Sequence, residues 1–116
     1  MHLGSMAAIG ERKAPNLRHI VLNNGAHDSV GGQPTIARKI DLPGIARCSG
    51  YTRVCSVKTP EELRRVLKSG AGQGNGSEFI EVLVHKGNRD DLGRPGTSPQ
   101  ENKEAFMRFL SKKGDT

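Results

Sequence analysis

Three runs of apolar and β-branched residues divide the chain, and each predicts a β-strand. Residues 19–22 place Ile, Val and Leu in succession, which is typical of a strand buried on both faces. Residues 51–57 alternate between apolar and polar side chains, and residues 79–84 form the third run. Glycine-containing polar segments follow the first run and precede the third, so we expect loops at residues 25–35 and 70–77.

Apolar spacing predicts a helix at the start of the sequence. Residues 1–10 carry Leu3, Met6 and Ala7 on one face, and Gly10 stands where a helix would stop. No capping residue precedes this helix, so we expect a strand and a turn to lie ahead of it in a longer chain.

Two further helices have recognisable first residues. Asp41 is placed to cap a helix over residues 42–48. Thr59 and Glu62 have the spacing of a capping box, in which each side chain accepts a hydrogen bond from the other residue's backbone N–H. This box predicts a helix over residues 60–68.

A second capping box opens the last predicted helix, which is amphipathic. Ser98 and Glu101 form the box, three residues apart. The apolar side chains that we expect to face inward are Phe106, Phe109 and Leu110.

Helices and strands therefore alternate along the whole chain. Such alternation is typical of an α/β fold, and we predict a parallel sheet flanked by helices, with binding loops at the carboxyl ends of the strands. The glycines of residues 70–77 follow a helix and precede a strand. This order is the reverse of a phosphate-binding loop, so we do not expect them to bind a nucleotide.

Size and composition exclude several classes of protein. The 116 residues suffice for one domain. No apolar run approaches the roughly 18 residues that cross a bilayer, and the first residues lack a signal-peptide pattern, so we predict a cytoplasmic location and no membrane partner. Cys48 and Cys55 are too few for a zinc cluster or a disulfide framework, and we expect both to be buried.

The net charge of +6 favours an anionic small ligand. Residues 1–58 hold eight Lys and Arg against three Asp and Glu, so most of the excess lies in the first half. Nucleic acid is a poorer candidate, because three Phe, one Tyr and no Trp leave few rings for base stacking.

Asn23 and Asn24, at the end of the first predicted strand, are the most informative polar pair. Amide and carbonyl oxygens are hard neutral ligands that suit a magnesium ion carrying a diphosphate. The alternative is that the pair only forms a turn before Gly25, as asparagines commonly do.

The residues around this pair resemble a known family. Residues 19–35 read HIVLNNGAHDSVGGQPT and closely resemble the segment after the second half of the thiamine-diphosphate motif in phosphonopyruvate decarboxylases. Sulfopyruvate decarboxylases are similar here. The resemblance resumes in IARCSGY at residues 45–51 and in DLGRPGTSPQENKEAFMRFL at residues 91–110, and it covers nearly the whole chain.

The resemblance implies a thiamine-diphosphate-binding fold, with residues 1–116 as part of its C-terminal domain. It implies that the Asn24 side chain and the Ala26 carbonyl oxygen bind Mg²⁺. Gly25, Gly31 and Gly32 would let the backbone approach the cofactor, although a flexible turn explains Gly31 and Gly32 equally well. The Gly-Asp-Gly that begins the motif in that family is absent from these 116 residues, so the family's magnesium-binding aspartate has no counterpart.

The resemblance also implies a reaction, the decarboxylation of a small anionic 2-oxo acid. His27 and Asp28 are candidate catalytic residues that would line the cleft and move protons, and His27 is favoured because an ordinary histidine pKa lies near 6.5. The alternative is that both are surface-loop residues. An N-terminal pyrimidine-binding domain or subunit is expected as a partner, and a homo-oligomer as the complete form.

Two other hypotheses remain at this point. Sulfopyruvate is the nearest rival to phosphonopyruvate as substrate, and a subunit of a sulfopyruvate decarboxylase fits the same residues. A non-catalytic basic α/β module that stabilises a larger subunit is the third hypothesis, and the absent aspartate favours it.

Overall fold

The computed structural model describes residues 3–69 and 76–113, with side-chain surroundings up to residue 111. Its helices are α1 (Ser5–Arg12), α2 (Leu42–Cys48), α3 (Pro60–Lys68) and α4 (Pro99–Lys113). Its strands are β1 (Arg18–Asn23), β2 (Ala26–His27), β3 (Gln33–Pro34), β4 (Arg53–Val57) and β5 (Glu78–Leu83). A short 3-10 helix, Asp28–Val30, separates β2 from β3.

The three long strands form one parallel sheet in the order β1-β5-β4, so the last strand in the sequence lies at the centre. The predicted α/β fold with a parallel sheet flanked by helices is confirmed. β2 and β3 pair antiparallel and form a small hairpin inside the predicted loop at residues 25–35. Nothing in the hydrophobic pattern predicted this hairpin, because it is only two residues long on each side.

The sheet has a core on each face, and alternate residues of β5 divide between them. On one face Phe79 is fully buried against Met6 of α1, Leu42 of α2 and the ring of Tyr51. On the other face the buried residues Val57, Ile80 and Val82 pack against the apolar side of α3. The central strand is therefore buried on both faces, which agrees with the mostly apolar run at residues 79–84.

The predicted helix caps are confirmed. The Asp41 side chain accepts a hydrogen bond from the Gly44 N–H at 2.8 Å. In α3 the Thr59 hydroxyl accepts from the Glu62 N–H, and the Glu62 carboxylate accepts from the Lys58 and Thr59 N–H groups. These backbone hydrogen bonds, that of Lys58 first, lower the pKa of Glu62.

The second capping box is equally complete. The Glu101 carboxylate accepts hydrogen bonds from the backbone N–H and the hydroxyl of Ser98, and these bonds lower the pKa of Glu101. The Ser98 hydroxyl in turn accepts from the Glu101 N–H at 3.2 Å.

The first strand is not buried on both faces, which corrects the prediction for residues 19–22. Ile20 and Leu22 lie on the α3 side of the sheet and are 43% and 68% exposed. β1 is an edge strand in the described sheet, and α3 packs over β4 and β5 instead. A continuous apolar run cannot report which strand becomes the edge.

Two predictions of burial are also wrong. Phe106, Phe109 and Leu110 of α4 were expected to face inward, but all three are about half exposed. Cys48 is exposed at the end of α2, whereas Cys55 is half-buried on β4, where burial raises the pKa of its thiol.

The first helix continues past the predicted stop at Gly10 and ends at Arg12, where Lys13 takes a left-handed conformation with φ of 47°. Gly10 is buried, and a Cβ at this position would collide with the Ser49 carbonyl oxygen. The glycine therefore permits close contact between α1 and the end of α2. Residues 1 and 2 of the predicted first helix, and the glycines at residues 70–75, lie outside the described residues.

Candidate functional site

The predicted site residues lie where β1 and β5 end. Asn23 is the last residue of β1, and the parallel register places it beside Leu83 at the end of β5. The chain then turns through Asn24 and Gly25 into the hairpin. Because carboxyl ends of neighbouring parallel strands share one edge of a sheet, the segment after β5 meets the same loop.

Asn23 builds the turn that leaves the strand. Its side chain is buried, and its Oδ1 accepts a hydrogen bond from the Gly25 N–H at 3.1 Å. Its Nδ2 donates to the Ala37 carbonyl oxygen at 3.1 Å and to Glu81 Oε1 at 2.7 Å. Every polar atom of the amide is thus hydrogen-bonded inside the protein, and Asn23 forms the turn before Gly25 that the sequence offered as an alternative to metal binding.

Asn24 forms a second turn directly after the first. Its Oδ1 accepts from the Ala26 N–H at 3.0 Å, and its Nδ2 donates to Asp28 Oδ2 at 2.7 Å. Gly25 between the two turns has a φ of 70°, which is costly for residues with a Cβ. The contact with Asp28 fixes which end of the Asn24 amide carries the oxygen, and that oxygen keeps a second lone pair.

Asp28 ties two loops together. Besides the Asn24 amide, Oδ2 of Asp28 accepts from the backbone N–H of Gly87, in the segment after β5, at 3.1 Å. A carboxylate that holds two donors at once has a structural role here. Its expected role in proton transfer stays a prediction.

His27 lines a cleft of about 620 Å³ between α1, β1 and residues 34–42. The walls of the cleft are mostly apolar, and His19 and the ring of Phe79 also line it. His19 is anchored, because its Nδ1 lies 2.7 Å from the hydroxyl of Tyr51 and its ring packs edge-on against Phe79 at 5.3 Å. His19 therefore has a structural role, and His27 is the other histidine that lines the cleft.

Gly31 and Gly32 form the tip of the hairpin. Their φ angles are 78° and 68°, a left-handed region that favours glycine. The Gly32 N–H donates to the His27 carbonyl oxygen at 2.9 Å and so closes the turn. A hairpin turn accounts for both glycines, and their approach to a cofactor stays a prediction.

Two basic residues that the sequence did not single out hold the loop in place. The Arg38 guanidinium donates to the carbonyl oxygens of Asn23 and Val84, at 3.1 and 2.5 Å. Lys86 Nζ donates to the Gly32 carbonyl oxygen at 3.0 Å. Both cations thus lie at the carboxyl edge of the sheet, and only the tertiary structure brings them together because they are 48 residues apart in sequence.

The donor groups of this edge include neutral oxygens of a kind that Mg²⁺ takes as ligands in proteins. Among the residues that the structure describes, no group of three or more His, Cys, Asp or Glu is placed to hold a metal ion. The loop supplies neutral oxygens instead, from the Asn24 amide and the backbone, with Arg38 and Lys86 nearby. Such a set suits Mg²⁺ whose charge is balanced by phosphate oxygens.

None of the described helices is long and apolar enough to cross a membrane.

The chain is similar to known decarboxylases over almost all of its length. No protein-family model matches the chain. The chain is 36% identical to the phosphonopyruvate decarboxylase of Streptomyces viridochromogenes, over 96% of this chain. The match spans only 28% of that longer protein.

Two sulfopyruvate decarboxylases are similar as well. The chain is 31% identical to that of Methanosarcina acetivorans, over 97% of this chain and 29% of that protein. It is 26% identical to the sulfopyruvate decarboxylase subunit beta of Methanococcus maripaludis, over 97% of this chain and 59% of the subunit. The chain is therefore similar, along almost all its length, to part of these longer decarboxylases, which confirms the resemblance noted in its sequence.

Proposed function

We propose that residues 1–116 form part of the C-terminal, thiamine-diphosphate-binding domain of a 2-oxo acid decarboxylase. The proposed reaction converts phosphonopyruvate to phosphonoacetaldehyde and carbon dioxide. The observation that carries this proposal is the double turn at Asn23 and Asn24 on the carboxyl edge of a parallel sheet, in a chain that is 36% identical to a phosphonopyruvate decarboxylase.

In this proposal the Asn24 amide oxygen and the Ala26 carbonyl oxygen bind Mg²⁺. The backbone at Gly25, Gly31 and Gly32 lines the diphosphate. Bound thiamine diphosphate supplies the electron sink that makes loss of carbon dioxide from a 2-oxo acid possible. His27, on the wall of the cleft, supplies or accepts a proton near the reacting carbon, and Asp28 holds the loop and is a second candidate for proton transfer.

The charge of the site agrees with an anionic substrate. Arg38 and Lys86 lie at the edge where the cofactor would bind, and phosphonopyruvate carries a second anionic group besides its carboxylate. The proposed partners are an N-terminal pyrimidine-binding domain or subunit and further copies of the complete protein. A cytoplasmic location belongs to the same proposal.

Sulfopyruvate decarboxylation is the second candidate. It is favoured by the similarity to a sulfopyruvate decarboxylase subunit beta, of which this chain spans 59%. Sulfopyruvate presents a sulfonate in place of the phosphonate. The two cations described above suit either group.

A chimeric enzyme tests the proposal. In it, this chain replaces the matching 111-residue stretch of the Streptomyces viridochromogenes protein. We expect carbon dioxide release from phosphonopyruvate that depends on thiamine diphosphate and Mg²⁺, with the parent enzyme as the positive control. Preference for sulfopyruvate would support the second candidate. A chimera that folds, as judged by circular dichroism, but binds no cofactor would favour the non-catalytic module.

A further inference from the structure

Glu81 is a buried carboxylate at the middle of the central strand. It is 6% exposed, and it lies with Phe79 on the face of the sheet that α1 and α2 cover. None of the ion pairs found among the described residues includes it. An apolar side chain of similar size would suit this part of the core as well or better, since buried charges are costly to desolvate.

The carboxylate is satisfied by two side chains from the neighbouring strands. Oε1 accepts from Asn23 Nδ2 at 2.7 Å, and Oε2 accepts from the Ser56 hydroxyl at 2.8 Å. Backbone hydrogen bonds already join β5 to both neighbours, so these contacts are not needed for strand pairing. Their specific consequence is the orientation of the Asn23 amide.

That orientation decides the geometry of the loop. With Nδ2 held by Glu81 and by the Ala37 carbonyl oxygen, Oδ1 of Asn23 faces the Gly25 N–H. The first turn therefore has one favoured form, and it places Asn24 and Ala26 at the edge of the sheet. A flipped amide would present its NH₂ group to the Gly25 N–H and break the turn.

We infer that Glu81 is a positioning residue for the metal loop, acting through Asn23 on the oxygens of Asn24 and Ala26. The inference rests on the proposed function as far as the metal is concerned. The loop geometry on which it depends consists of the hydrogen bonds of the Asn23 side chain. The carboxylate thus connects the core of the sheet to the site, and this explains why a charge is kept in the core.

Two variants of the 116-residue chain separate positioning from general stability. In Glu81→Gln the side chain still accepts from Asn23 and donates from its NH₂ group to the Ser56 oxygen, so both contacts survive. Glu81→Leu loses both contacts and keeps the volume. The first readout is backbone amide exchange measured by NMR at Gly25 and Ala26, with the sheet amides of Ile80 and Val82 as internal controls.

We expect Glu81→Leu to accelerate exchange at Gly25 by about tenfold or more relative to the sheet amides, as loss of a charge-assisted hydrogen bond predicts. Glu81→Gln should stay within about twofold of the wild type, since a neutral acceptor replaces the charged one. Ser56→Ala, a milder variant that removes one donor, should be intermediate. Unchanged Gly25 exchange in Glu81→Leu, or equal acceleration everywhere, would overturn the inference. If Glu81→Leu does not fold, the same comparison in Ser56→Ala decides.

The second readout locates the bound metal ion by the broadening of nearby NMR resonances. Mn²⁺ with inorganic diphosphate should broaden the resonances of Asn24 and Ala26 in the wild type and in Glu81→Gln, and much less in Glu81→Leu. Absence of broadening in the wild type would contradict metal binding by the 116-residue chain alone, and the exchange data would still decide the role of Glu81. Equal broadening in all three proteins would overturn the link between Glu81 and the metal loop.

Discussion

Asn24 provides one oxygen to the proposed metal site, and its replacement tests that site directly. In the chimeric enzyme we expect Asn24→Ala to weaken Mg²⁺-dependent binding of thiamine diphosphate by roughly ten to a hundredfold, the weight of one contact to a charged group. Calorimetric titration measures this. Circular dichroism should show an intact fold, because the residue lies in a polar loop after β1.

Asn23→Ala is the matched variant one residue earlier. Asn23 is buried with three hydrogen bonds inside the protein, so its loss should reduce stability and should weaken metal binding indirectly, through the turn at Gly25. If Asn23→Ala abolished magnesium binding and Asn24→Ala did not, the ligand would be assigned one residue too late.

His27 is expected to act in a chemical step more than in binding. His27→Ala in the chimeric enzyme should lower turnover by about ten to a thousandfold, in the range of a lost proton donor, with a modest change in cofactor affinity. Steady-state kinetics with separate kcat and KM, alongside the titration, distinguishes the two effects. His85→Ala is the control, because His85 is an exposed histidine after β5. Turnover equal to that of the wild type would return His27 to a structural role.

At the scale of elements, the contact between α1 and α2 depends on a glycine that helix propensity disfavours. Gly10→Ala should gain roughly 1 kcal/mol from propensity, but its Cβ would meet the Ser49 backbone, and separating two packed helices costs more. We therefore expect a net loss of stability in urea unfolding. Gly4→Ala, at a position with open space around it, should be neutral or slightly stabilising. A stabilised Gly10→Ala variant would show that α1 does not pack as described.

At the scale of the whole molecule, we expect the 116-residue polypeptide by itself not to decarboxylate phosphonopyruvate or sulfopyruvate. Its sequence has no Gly-Asp-Gly, and the proposed site offers Mg²⁺ neutral oxygens only, although this ion gives up its water reluctantly. The proposed partner domain would also have to supply the pyrimidine pocket. Cofactor-dependent release of carbon dioxide by the purified polypeptide, measured with both substrates, would contradict this prediction.

The same polypeptide is expected to self-associate. Within the described part of the chain, β1 and β4 are both edge strands of the three-stranded sheet, and Ile20, Leu22 and Phe106 are exposed. Light scattering across a concentration series measures this. A monodisperse monomer at all concentrations would show that these surfaces are tolerated.

The sequence by itself determined the features that depend on neighbouring residues. The caps at Asp41, Thr59 and Ser98 follow from local chemistry, because their partners lie no more than four residues away. The hydrogen bonds that close the turns at Asn23 and Asn24 are equally local, although Glu81 orients the Asn23 amide. The alternation of elements likewise determined the α/β class. The similarity of the loop to decarboxylases was readable for the same reason, since a contiguous segment carries it.

Only the tertiary structure decided what depends on distant residues. It placed β5 at the centre of the sheet, which left Ile20 and Leu22 exposed, and it brought Glu81 to Asn23, 58 residues away. The contact at Gly10 and the cations at the site arise in the same way. A hydrophobic pattern reports that a residue prefers burial, but the strand order and the helix positions decide which residues have a partner to bury against.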